Sequence, residues 1–122
     1  MGSGAYDGAF TLRARVDGVK RSTNPEELIG AAHAGCFTMS LANLLSESGH
    51  PPADLQTTAR VRLEQLDTGF TITKIELRTV GEVPDVDAET FAQFARQAKD
   101  TCPVSRALAG TEITLEAQLG GG

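Results

Sequence analysis

Cys36 and Cys102 are the only cysteines in a chain of 122 residues. A deprotonated thiol is a strong nucleophile toward peroxides and disulfides, and it is also a metal ligand. Metal binding does not fit here. The two cysteines are far apart in sequence, and His33 and His50, the only histidines, complete no zinc-ligand spacing with them. No Cys-x-x-Cys is present, so a general disulfide exchanger is also a poor fit. Two readings remain. Free cysteine is often just a small buried hydrophobe; otherwise the two thiols form a reactive pair.

Local setting bears on that choice. Cys102 lies in Thr101-Cys102-Pro103-Val104-Ser105, where Pro103 begins a short helix. Free backbone N–H groups at a helix start favour a thiolate. Cys36 sits twelve residues past Asn24, the expected cap of a long helix. That is roughly 18 Å along the axis, beyond the reach of the helix dipole. A nucleophilic Cys36 therefore needs a cation from another element. Arg13 and Arg15 are available on the polar face of a first strand, where the plain alternative is that both are solvated. Glu26 and Glu27 have a local explanation as favourable first-turn charges and a capping box with Asn24. His33 reads as a hydrogen-bonded core histidine rather than a catalytic base.

The elements that must position these residues follow from periodicity. Ala9–Asp17 alternates, with Phe10, Leu12, Ala14 and Val16 on one face, as in a half-buried strand. Pro25 opens a helix that runs to about Ser48, where Gly49 and Pro51-Pro52 end it. Its middle is apolar nearly all round, which predicts a central buried helix. Gly30, Ala31, Ala34 and Gly35 would let a helix or sheet approach closely. Leu55–Leu66 and Phe70–Val80 form a hairpin across Asp67-Thr68-Gly69. Asp87 caps a helix over Ala88–Asp100 with Phe91, Phe94, Ala95 and Ala98 inward. Pro103–Ala109 is a short helix, and Thr111–Leu119 a last strand. Together these predict one α+β domain over residues 5–119, with antiparallel strands around the long helix and linker residues at 1–4 and 120–122.

Composition narrows the function classes. A net charge of −5 without a basic block argues against nucleic acid as a partner. Leu28–Ser46 is long and nearly uncharged, but His33, Thr38, Ser40, Asn43 and many Ala and Gly residues make it a weak membrane span. A soluble, cytoplasmic protein is expected, and in the cytoplasm a disulfide is more often catalytic than structural.

The run Thr23-Asn24-Pro25-Glu26-Glu27-Leu28-Ile29-Gly30-Ala31-Ala32-His33-Ala34-Gly35-Cys36-Phe37 resembles the central helix of the osmotically inducible protein C (OsmC) family of thiol peroxidases. Cys102-Pro103-Val104-Ser105, followed by Ala107-Leu108, resembles that family's second motif. Gly69–Ile75 and Glu112–Leu115 look like it too, so the likeness covers about residues 9–119. The related organic hydroperoxide resistance (Ohr) branch shares the Thr-Asn-Pro-Glu start and both cysteines, but Glu27–His33 is closer to the OsmC branch.

The resemblance implies an intertwined α+β homodimer with two active sites at its interface. It implies reduction of organic hydroperoxides, and of hydrogen peroxide to varying degrees. Cys36 matches the peroxidatic cysteine and Cys102 the resolving cysteine, joined during turnover in an internal disulfide. Glu26 matches the glutamate that orients a catalytic arginine. Arg15, in Arg15-Val16-Asp17-Gly18, matches that arginine, with Arg13 close by. The reductant would be an external dithiol, a lipoyl protein or another thiol, and no metal, flavin or haem cofactor is implied. Family chains carry about twenty further residues, a strand or hairpin, ahead of Ser3-Gly4-Ala5-Tyr6, and this sequence is expected to lack that segment. The alternative function is a catalytically impaired relative with a binding or structural role.

Overall fold

The computed structural model describes the backbone of residues 5–11 and all of residues 25–120. In chain order the elements are β1 (Ala5–Thr11), α1 (Pro25–Glu47), β2 (Asp54–Leu66), β3 (Gly69–Glu82), α2 (Ala88–Thr101), α3 (Pro103–Ala107) and β4 (Glu112–Leu119). The four strands form one sheet in the order β1-β2-β3-β4. This is the α+β arrangement the sequence predicts, with one change: β4 runs parallel to β3, so the sheet is mixed rather than antiparallel. The reason lies in the connection. A tight turn joins β2 to β3, whereas α2 and α3 intervene before β4, and a helical crossover returns the chain in the same direction.

The hairpin forms where the turn residues place it. Gly69 has φ +121°, a backbone state that glycine tolerates and other residues resist. Along β2, Thr57, Ala59, Val61 and Leu63 face inward, and Ile75, Leu77 and Thr79 answer from β3. The register slips between Arg62 and Leu63, so that Arg62 pairs with Lys74 and Leu63 with Ile72. The extra residue, Thr73, allows Ile72 and Ile75 to pack on the same core although three positions separate them. The first strand lies earlier than expected. It occupies Ala5–Thr11 and pairs antiparallel with β2, from Ala5 opposite Glu64 to Thr11 opposite Thr58. Ala5–Gly8 shows no hydrophobic alternation, and its strand state comes from backbone pairing with β2. The rest of the expected strand, 12–17, lies outside the described residues.

The helix α1 lies on one face of this sheet. Gly30, His33, Ala34, Phe37, Leu41 and Leu45 are buried, a stripe at helical spacing. Gly30 lets the sheet come close: a Cβ there would sit 3.3 Å from Val61 Cγ2. The other side is open, with Leu28 59% and Met39 74% exposed. The helix is therefore not enclosed within a single chain, as its all-round apolar character predicts. By length and composition alone it could also cross a membrane. Gly49, at φ +86°, ends it, and His50 N–H donates to Leu45 O at 2.8 Å. Asp87 caps α2 as expected, its side chain accepting from Thr90 N–H at 2.8 Å. Phe91, Ala95 and Ala98 on α2 complete the core.

Candidate functional site

Cys36 and Cys102 are 66 positions apart in sequence, and their sulfurs are 3.0 Å apart in the fold. Both are free thiols; Cys36 is half-buried and Cys102 is buried. The separation is about 1 Å longer than a disulfide bond. Three elements produce it. Cys36 lies midway along α1. Cys102 is the joint between α2 and α3: its N–H donates to Ala98 O at 2.9 Å, and its carbonyl accepts from Arg106 N–H at 3.0 Å. The turn between the helices thus points one sulfur at the flank of α1.

The start of α3 acts differently from the sequence expectation. The sequence pairs its free N–H groups with Cys102, but Cys102 makes no side-chain cap bond. Val104 N–H donates to Cys36 instead, and the Ser40 hydroxyl, one turn along α1, also hydrogen-bonds to Cys36. Both favour the thiolate. They are outweighed: burial, together with the adjacent Cys102, pushes the Cys36 thiol above its ordinary value. Among the described residues no positive side chain contributes to this balance. Ser40 was not singled out from sequence, although four positions from Cys36 is the spacing that puts two side chains on one helix face.

A second contact ties the two cysteine-bearing segments. His33 Nε2 lies 2.7 Å from Ser105 Oγ, and both residues are buried. His33 is three positions before Cys36, and Ser105 three after Cys102. Burial holds His33 below its ordinary pKa and hence neutral. Its Nδ1 has no partner among the described residues. The less costly tautomer leaves the proton on Nε2, so that His33 donates to Ser105 and only an acceptor is unmatched. The sequence reading of His33 as a core histidine agrees with this.

Threonines anchor α1 to the sheet. Thr38 Oγ1 lies 2.7 Å from Ala34 O and 2.7 Å from Thr57 Oγ1, and Thr57 lies 3.1 Å from Thr79 Oγ1. Each hydroxyl has one proton, and a carbonyl only accepts. Thr79 Oγ1 also donates to Gln56 O at 3.3 Å, so four contacts share three hydroxyl protons.

Glu26 is not brought to Cys36. Both lie on the continuous helix α1, ten positions and about 15 Å of rise apart. Arg15 and Arg13 lie outside the described residues. Among the described residues no cluster of His, Cys, Asp and Glu could hold a metal ion.

Residues 18–117 match the family described as OsmC-like protein. The chain is 50% identical over 110 residues to the peroxiredoxin OsmC of Escherichia coli K12, covering 90% of this chain and 76% of that protein. It is 30% identical over 113 residues to the organic hydroperoxide resistance protein OhrA of Bacillus subtilis, covering 90% and 77%. The fold superposes on an organic hydroperoxide resistance protein of Elizabethkingia anophelis with a TM-score of 0.71 at 27% identity, covering 80% of this chain and 69% of that one.

Proposed function

The chain belongs to the OsmC-like protein family, on the OsmC rather than the Ohr side, and from that premise we propose that it is a cysteine-based peroxidase that reduces organic hydroperoxides, and hydrogen peroxide to a lesser or greater degree, through a Cys36–Cys102 disulfide. The observation that carries this reading is the 3.0 Å approach of the two sulfurs.

The Cys36 thiolate attacks the terminal peroxide oxygen. The S–O bond forms, the O–O bond breaks, and the alkoxide leaves and takes a proton as alcohol. Cys36 is then a sulfenic acid, oxidised by two electrons. The Cys102 thiolate attacks that sulfur; the S–S bond forms and hydroxide leaves as water. An external dithiol, a lipoyl protein or another thiol, returns both cysteines to the reduced state by exchange.

Burial alone would leave Cys36 a sluggish thiol, so the reading requires a cation. We assign that role to Arg15, with Glu26 fixing its guanidinium plane through a paired contact. The exposed apolar side of α1, with Leu28 and Met39, is where a second copy would pack, so the proposed working form is a homodimer; the family assignment supports a cytoplasmic setting. A hydroperoxide-consumption assay with a dithiol present tests the reading. Catalytic consumption is expected, and one equivalent of hydroperoxide should give an intrachain Cys36–Cys102 disulfide by mass spectrometry. Two unreacted thiols, or bridges only between chains, would instead mark the chain as an impaired relative with a binding role.

A further inference from the structure

The Cys36–Cys102 approach joins the middle of α1 to the start of α3, where Val104 N–H also reaches Cys36. Cys102 lies at a joint between two helices, and α3, the segment that follows, has only five residues. A helix this short does not hold its own position in water. Something must pin it to α1 if the sulfurs are to stay within bonding reach. The buried His33–Ser105 hydrogen bond is placed to do so. It leaves α1 one turn before Cys36 and meets α3 one turn after Cys102, so the S···S contact and the N···O contact are two rungs between the same two segments. Ser105 is 6% exposed, His33 is fully buried, and Nδ1 is unmatched among the described residues.

We propose that His33 and Ser105 are positioning residues that hold Cys102 against Cys36 and thereby raise the effective concentration of one thiol toward the other. This rests on the two-cysteine reading above and adds a residue pair to it. Neither residue takes part in the bond changes at the sulfurs. In turnover the pair would decide the fate of the Cys36 sulfenic acid. With Cys102 held close, the intermediate closes to a disulfide. With α3 free to swing away, a second hydroperoxide oxidises it to the sulfinic acid.

The test is the thiol–disulfide equilibrium of the full chain in glutathione buffers, which reads effective concentration directly and needs no peroxidase activity. Ser105→Ala removes one hydroxyl but strands the His33 nitrogen. The double variant His33→Leu with Ser105→Ala strands nothing and is the safer variant to fold, checked by circular dichroism. Both should lower the effective concentration about tenfold, the worth of one buried hydrogen bond. In excess hydroperoxide both should also raise the sulfinic fraction per turnover while leaving the first oxidation of Cys36 at the wild-type rate. A folded double variant with the wild-type glutathione equilibrium would overturn the proposal. If the wild-type chain forms the disulfide in glutathione yet consumes no hydroperoxide, the peroxidase reading fails and the positioning role stands.

Discussion

Gly81→Ala and Gly30→Ala add the same methyl group on the two sides of the core, and the structure predicts opposite results. At Gly81 the new Cβ would sit 2.6 Å from Phe91 Cζ, 2.8 Å from Cε1 and 2.9 Å from Leu55 Cδ2. Ordinary contact begins near 3.4 Å, so the Phe91 ring must retreat by about 0.8 Å to restore contact at core packing density. Phe91 is fully buried and has no open side to move into. Overpacking of this kind costs about 1–3 kcal/mol. Alanine restricts the unfolded chain more than glycine does, which offsets about 0.5–1 kcal/mol. The central values leave a net loss of about 1.25 kcal/mol, or a midpoint about 5 °C lower for a domain of this size. At Gly30 the nearest atom is the Val61 methyl Cγ2 at 3.3 Å, which needs to give by only a few tenths of an ångström. Alanine within a helix gains about 1 kcal/mol over glycine, so Gly30→Ala should be neutral or stabilising. Urea titrations at one protein concentration, with unchanged m, compare the two. A Gly81→Ala protein as stable as wild type, or a Gly30→Ala protein that loses as much, would refute the packing described for both faces. Combining Gly81→Ala with Phe91→Leu should cost less than the sum of the two.

Ser40→Ala removes a hydrogen bond that favours the Cys36 thiolate, so the inflection in Cys36 alkylation rate against pH should move up; Cys102→Ser removes a neighbour that raises it, and the inflection should move down. His33 has a lowered folded-state pKa, so below its ordinary value of about 6.5 the unfolded chain takes up a proton that the folded chain refuses. Stability should therefore fall with falling pH, by up to about 1.4 kcal/mol per unit until the folded-state pKa is reached, and the His33→Leu, Ser105→Ala double variant should lack that slope in urea titrations. Arg15→Ala should raise the Cys36 pKa and slow the first oxidation, read by alkylation and by stopped-flow hydroperoxide mixing. Arg13→Ala should do so much less, and the reverse order would assign the cation to Arg13.

The parts of the structure that were legible in the sequence are those set by local chemistry. Asp87 marks the start of α2 because its carboxylate satisfies Thr90 N–H. Asp67-Thr68-Gly69 marks the hairpin because Gly69 must take a positive φ. Strand direction is different. Alternation in Ile113, Leu115, Ala117 and Leu119 says which face is inward, but it reads the same in either direction, so β4 was placed antiparallel. Exposure along α1 is also nonlocal. Leu28 and Met39 have the composition of a buried helix, and only the sheet's position shows which side one chain covers. At the site, the cysteines were recognisable as a pair through the family resemblance, not through their spacing. The donor for Cys36 was not, because Val104 N–H is a backbone group that 68 positions separate from the sulfur it serves.

The role proposed for Glu26 has to be exercised at a distance. On the unbroken helix α1 it is about 15 Å of rise from Cys36, so no carboxylate reaches that sulfur within a chain. A Glu26 that serves the site acts through an arginine that spans the gap, or on the Cys36 of a second copy. The exposed side of α1 favours the second. If a copy covered Met39 and Leu28 and brought no charge, burial would push the Cys36 thiol higher still, and assembly would silence the nucleophile. An active dimer must therefore bring a cation and its carboxylate to the same face that it desolvates. Two antiparallel helices about a two-fold axis do this twice, placing each first turn beside the other's middle. Glu26→Ala protein mixed with Cys36→Ser protein should then regain activity. With full exchange half of the dimers are mixed, and each has one site with both groups intact, so about a quarter of wild-type activity should return. Exchange verified by mass spectrometry with no recovery would place Glu26, its arginine and Cys36 within one chain.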